Sequence, residues 1–141
     1  MLGSVLLYVG LLLAQAVSAE EQNKQELEKL QGEWVLDSAE FRGKPATPLL
    51  PEVYRIQGSE YKLEGSQGAN SKSSFSLDAT TSPKHFDRTM PGGTKLLGIY
   101  RLESDTLTIC SGTSVERPGE FTTITPGWRM LVWKRKAIKK E

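Results

Sequence analysis

Apolar and polar positions alternate with a period of two along most of this chain, in runs too short for helices of ordinary length. Tyr54 and Ile56 share a face in 53–57, and Tyr61 and Leu63 share one in 60–64. In 71–77, Ser73, Phe75 and Leu77 alternate with Ser74 and Ser76. Alternation of this kind sends one set of side chains into a core and the other into solvent, as in half-buried strands. Gly58-Ser59 separates the first two runs by the two residues of a tight hairpin. The clearest unit is Lys95 to Cys110. Its first run, 95–102, is apolar on both faces for most of its length, and Ile99 and Tyr100 favour a strand. Its second, 106–110, points Leu107 and Ile109 one way and Thr106, Thr108 and Cys110 the other. Glu103-Ser104-Asp105 supplies the turn. Gly98 within a strand marks a bend, a bulge or a close backbone approach, which the corners of a small barrel require.

The remaining segments extend the pattern. Residues 33–41 read as a strand with Trp34, Leu36 and Ser38 on one face and Val35, Asp37 and Ala39 on the other, ended by Gly43-Lys44-Pro45. Residues 46–51 form a Pro-rich loop, 84–90 a weaker strand, Pro91-Gly92-Gly93 a turn, and 128–134 a closing strand. The predicted set is eight strands: 33–41, 53–57, 60–64, 71–77, 84–90, 95–102, 106–110 and 128–134. Short, evenly spaced strands with turn signals between them indicate an all-β, up-and-down antiparallel barrel or a sandwich. Ahead of them, 20–31 reads as a short helix, with Asn23 as its cap, Glu26 three residues on, Leu27 and Leu30 sharing a face, and Gly32 as its stop. The 111–127 connection contains Pro118, Gly119 and Pro126. Loops of that length are functional or pinned, and Phe121 is the expected anchor.

Composition narrows the setting. The 141 residues are 38% hydrophobic and 25% charged, with a net charge of +1, which fits one soluble domain and gives no reason to expect nucleic-acid binding. The basic tail, Lys134 to Lys140, reads as a solvated chain end. Residues 1–19 hold no charged side chain, Val5 to Leu13 is an apolar block, and Val17-Ser18-Ala19 places small residues at the −3 and −1 positions. This predicts a signal peptide cleaved before Glu20, a single domain over 20–141, and an exported protein: periplasmic, extracellular or of the cell envelope. An uncleaved membrane anchor is the alternative, and it is the only route to a membrane that the sequence offers. Cys110 is the sole cysteine, so no internal disulfide forms. Such a residue is more often a small buried strand residue than a reactive thiol.

Candidate chemistry is sparse. His85 is the only histidine, and nothing like a nucleophile elbow surrounds any serine. One His and one Cys lack metal-ligand spacing. Glu40, Glu60, Glu64, Asp78 and Asp87 supply carboxylates, but no spacing selects a pair for glycoside hydrolysis. No phosphate-cradling glycine loop occurs. The sequence therefore predicts no enzyme, with no catalytic, cofactor-binding or metal residues.

Five stretches in order carry a resemblance: Leu30-Gln31-Gly32-Glu33-Trp34, Ser82-Pro83-Lys84-His85-Phe86-Asp87, Leu97-Gly98-Ile99-Tyr100, Asp105-Thr106-Leu107 and Arg117-Pro118-Gly119-Glu120-Phe121. The first resembles the Gly-x-Trp signature that opens lipocalins. Together they are similar to a family of small, exported, lipocalin-like domains of unknown function, abundant in planctomycete bacteria. Gly32, Trp34, Gly98, Tyr100 and Phe121 are its structural signature here. Ser104 departs from it where the family turn usually has Gly, and 90–93 shortens a more charged turn. The resemblance implies an eight-stranded barrel whose closed end is plugged by Trp34, under Arg135 or Arg129. It implies no activity.

Small barrels often enclose one ligand. The first functional expectation is thus a binding module for a small apolar or amphipathic molecule. Tyr54, Tyr61, Phe75, Tyr100 and Trp128 would line its site and the 111–127 loop would act as a lid. The alternative is a cell-envelope interaction or structural protein in which the same aromatics fill the barrel as core. An enzyme using His85 with a carboxylate ranks third.

Overall fold

The computed structural model describes residues 17–46, 52–65 and 71–137. The helix α1 (Ala19–Leu30) precedes ten strands: β1 (Gly32–Phe41), β2 (Lys44–Ala46), β3 (Val53–Gln57), β4 (Glu60–Glu64), β5 (Ser71–Asp78), β6 (Lys84–Thr89), β7 (Lys95–Leu96), β8 (Gly98–Glu103), β9 (Thr106–Ser111) and β10 (Arg129–Arg135). Every pairing is antiparallel, and β10 returns to pair with β1 from Trp34↔Arg135 to Phe41↔Arg129. Eight strands, β1, β3, β4, β5, β6, β8, β9 and β10, thus close an up-and-down barrel, while β2 and β7 are short additions pairing with β1 and β6. Closure removes the free sheet edges that an open eight-stranded meander would leave.

The expected strands are all present, with local differences. The run 95–102 is split at Leu97, whose N–H donates to Thr113 and whose carbonyl accepts from Gly112. Gly98 then lies so near β6 that a Cβ would stand 2.7 Å from the Phe86 carbonyl oxygen. Close approach is therefore the reason for glycine there. In β1 the register shifts between Leu36 and Ser38, a bulge that reverses the facing expected beyond Leu36. Ser38 is exposed, and Ala39, opposite Leu131, is buried. Arg42 and Gly43 both take positive φ (51° and 72°) in the two-residue turn to β2, a turn hidden within the Gly-Lys-Pro break. Ser104, where the resembled family has Gly, also takes positive φ (54°).

The helix sits at the closed end. Its N-cap is Ser18, whose hydroxyl accepts from Glu21 N–H at 3.1 Å, and not Asn23 as expected. Asn23 lies inside the helix and accepts from the Ala79 N–H at 2.7 Å, tying α1 to the segment after β5. Glu26 likewise serves no capping box; it is turned into the barrel mouth beneath the helix. Leu30 and Trp34 are both fully buried, and Trp34 Nε1 donates to the Leu30 carbonyl at 2.9 Å. Arg135 lies over the Trp34 ring, 4.2 Å from its centroid, and donates to the carbonyls of Gln31 and Lys29. These are orphan carbonyls of the helix C-terminus, so one guanidinium both caps the helix and covers the plug. Arg129, the other candidate, stacks on Phe41 at the opposite end.

The 111–127 connection does not lie over the open end as a lid. Its described contacts run along the outer wall. Arg117 forms a two-pronged pair with Asp87, the Nη2–Oδ2 arm at 2.9 Å, and donates to the Gly98 carbonyl at 2.7 Å. Burial works against the Asp87 charge, but the Arg117 hydrogen bonds prevail and hold its carboxyl below the ordinary range. Thr123 is fully buried and joins the Glu40 carboxylate to the Gly43 N–H. Phe121 is half-buried with Arg101 over its ring, 4.7 Å from the centroid. Under this strap, the outward-facing Ile99, Thr108 and Cys110 are buried. The Cys110 thiol points to the Thr122 carbonyl at 3.3 Å, and burial pushes its pKa up, the opposite of what a nucleophilic thiol needs. The expected signal segment and the 46–51 loop fall mostly outside the described residues. Among the described residues, no helix is long and apolar enough to cross a membrane.

Candidate ligand site in the open half of the barrel

The inward faces divide into two layers. The lower layer is a chain of aromatic rings around the wall. Tyr54 stacks on Trp133 (centroids 3.8 Å apart) and meets Tyr61 edge-on at 5.0 Å; Tyr61 leads to Phe75 at 6.2 Å. Phe75 stacks on Phe86 at 4.9 Å, and Phe86 meets Tyr100 at 5.9 Å. Each of these rings is at most 5% exposed. Contacts of this kind add about 0.5–1.5 kcal/mol per pair beyond burial. Four of the expected lining residues, Tyr54, Tyr61, Phe75 and Tyr100, are therefore brought together, but as a packed layer. Trp128 is not with them. It is buried, but lies just before β10 and outside the contiguous core.

The closed end of this layer is sealed by a buried carboxylate. Glu26 accepts from Lys84 Nζ at 2.6 Å, Lys29 Nζ at 3.1 Å and the Tyr100 hydroxyl at 3.2 Å. Burial raises its pKa, the two ammonium groups lower it, and the net direction is down. Tyr100 is driven up, first by burial and then by the Glu26 charge, so it stays a neutral donor. Lys29 is three residues from Glu26, but the partners that bury the carboxylate, Lys84 and Tyr100, lie 58 and 74 residues away, so the local sequence does not mark this cluster.

The upper layer is more open. Leu36, Leu63 and Leu131 pair in register with the inward-facing Trp133, Tyr54 and Ile109, yet each keeps partial exposure. Arg88 belongs to the same layer, opposite Phe75 and Leu96. Its guanidinium crosses from β6 to β3, where Nη1 donates to the Tyr54 hydroxyl at 3.1 Å. Nε is buried without a partner among the described residues, and so is Trp133 Nε1. The groups nearest the guanidinium are the phenols of Tyr54 and Tyr61. Burial pushes the Tyr54 pKa up to about 12, so this phenol is neutral and leaves the cation uncompensated. Arg88 escaped the sequence reading because 84–90 has the weakest alternation, and a charge at an inward position there looks like a solvated one.

His85 pairs in register with Asp78 and Ile99 on the face opposite Phe86, so it points away from the interior. Among the described residues, no group of three His, Cys, Asp or Glu side chains is placed to hold a metal. Two shallow grooves of about 400 Å³ lie elsewhere: one between α1 and β5 beside Leu27 and Leu77, the other beside Pro83 and Phe121. No family model, curated protein or solved structure matches the chain.

Proposed function

We propose that this is an exported, lipocalin-like domain of the small planctomycete type, and that the open half of its barrel binds a small apolar or amphipathic molecule. The observation carrying this reading is the contrast between layers. Inward-facing leucines keep partial exposure above an aromatic floor that is sealed. A floor of rings with an aliphatic rim is the lining small-ligand sites favour. Export rests on the apolar block and small-residue cleavage pattern of residues 1–19. The second reading, an envelope interaction protein with no ligand, draws on Val115 and Ile124, which stand 89% and 80% exposed on the outer strap. Native mass spectrometry of the purified protein, followed by solvent extraction, separates the two. A stoichiometric co-purifying lipid or small apolar molecule supports the binding module. A clean apo mass, with no thermal shift from a panel of fatty acids, fatty alcohols and sterols, refutes it and favours the second reading.

A further inference from the structure

We infer that the ligand of the open half carries a carboxylate, and that Arg88 and the Tyr54 hydroxyl receive it. The inference rests on the binding reading above and adds the charge and head group of what is bound.

Burying a guanidinium costs several kcal/mol unless an anion compensates it. Arg117, the more buried of the paired arginines, meets this requirement by facing Asp87, and the more exposed Arg135 and Arg55 also reach carboxylates, Asp105 and Glu33 with Glu64. Arg88 makes no ion pair among the described residues, although it is the arginine that crosses the barrel interior. The undescribed internal stretches 47–51 and 66–70 contain no Asp or Glu, and Glu141, in the undescribed 138–141, is the one acidic side chain outside the described residues. Asp87, its neighbour in sequence, faces the outer wall and is held there by Arg117.

The donors left over define the partner. Arg88 Nε–H is unused, and Nε with the adjacent Nη2 forms the edge of a guanidinium that grips a carboxylate two-pronged. Tyr54 accepts from Nη1, which leaves its own O–H free to donate. The Glu52 carboxylate is near enough for its charge to raise the Tyr54 pKa but forms no ion pair with Arg88 among the described residues, so an acceptor-only group of single negative charge completes the set. A phosphate monoester, at about −1.5 to −2 near neutral pH, would leave excess negative charge against one cation in a poorly solvated site. The leucines of the same layer suit an aliphatic or aromatic body on that carboxylate.

Calorimetric titration with dodecanoate, methyl dodecanoate and dodecyl phosphate tests this on the unaltered protein. Dodecanoate is expected to bind at least about tenfold more tightly than the ester and more tightly than the phosphate. Arg88→Met, which substitutes an unbranched apolar side chain, is expected to remove the preference, so that acid and ester bind within about twofold of each other. If that variant does not fold, Tyr54→Phe keeps the ring stack and removes one donor, and should cut the preference several-fold. Equal affinity for acid and ester, tighter binding of the phosphate, or a preference that survives Arg88→Met overturns the carboxylate site while leaving an apolar ligand standing. Failure of all three ligands to bind overturns the binding reading together with it.

Discussion

Replacing Trp34 by alanine tests whether the closed end carries the stability of the barrel. The indole is fully buried between Leu30, the first layer of the core and the Arg135 guanidinium. Truncating a buried Trp or Phe costs about 3–5 kcal/mol through lost contacts and an unfilled cavity. The Nε1 hydrogen bond to the Leu30 carbonyl adds about 1 kcal/mol, because that carbonyl is left buried and unpaired. The cation–π contact contributes at the low end of about 0.5–2 kcal/mol, since Arg135 keeps its bonds to Gln31, Lys29 and Asp105 without the ring. These contributions overlap, and a total of about 4 kcal/mol is the expectation. Domains of this size are stable by about 5–15 kcal/mol, so the variant would lose a large share of its margin. Urea unfolding followed by far-ultraviolet circular dichroism reads the change as a fall in midpoint at constant slope. Trp34→Phe, which keeps a ring under Arg135 but loses the N–H, should fall between the two. A loss below about 1 kcal/mol for Trp34→Ala would refute the assignment of Trp34 as the plug on which the helix and barrel meet.

Two further perturbations address the other polar anchors. Glu26→Gln removes a charge shared by Lys84 and Lys29, both of them partly exposed, so the loss near neutral pH is about 1–2 kcal/mol after solvent screening. Because the folded-state pKa of Glu26 lies below the ordinary 4.5, its contribution is full above that value and fades as pH falls through the folded one. The gap in Tm between wild type and variant should therefore narrow below pH 4.5, and a gap constant from pH 7 to pH 3 would contradict the assignment. Arg117→Ala releases the strap from Asp87 and the Gly98 carbonyl. Cys110, sealed beneath it, should then react with a thiol reagent at least about tenfold faster under native conditions, and an unchanged rate would place the strap's hold elsewhere.

The strand framework was legible because alternation is a local signal. Each of the eight predicted runs overlaps a barrel strand, and the Gly58-Ser59 spacing was enough to place a hairpin. The plug and its arginine followed from the Gly-x-Trp resemblance. What escaped was set by partners distant in sequence. Asn23 and Ser18 are equally good capping residues by type, and the demand of the Ala79 N–H, 56 residues away, decides between them. The reversal at Ala39 follows from a bulge that only the pairing with β10 reveals. Four of the five aromatic residues expected to line a site, Tyr54, Tyr61, Phe75 and Tyr100, share the core, yet pattern alone does not distinguish a lining from a filling. Trp128, equally aromatic, lies just ahead of β10 and outside the contiguous core.

The two ends of the barrel treat buried polarity in opposite ways. At the closed end, Glu26, Trp34 Nε1 and the helix carbonyls beneath Arg135 all have close partners. Cooperative pairing of that kind makes removal of any one member costly, which is how a fold protects its foundation. Above the aromatic floor, a guanidinium nitrogen is buried without a partner in the described chain. An unpaired charge there lowers stability, and replacing it with an apolar side chain of similar length should raise stability or leave it unchanged. Selection for folding alone would favour that replacement. On the binding proposal, Arg88, more than any ring of the floor, is where specificity should be sought.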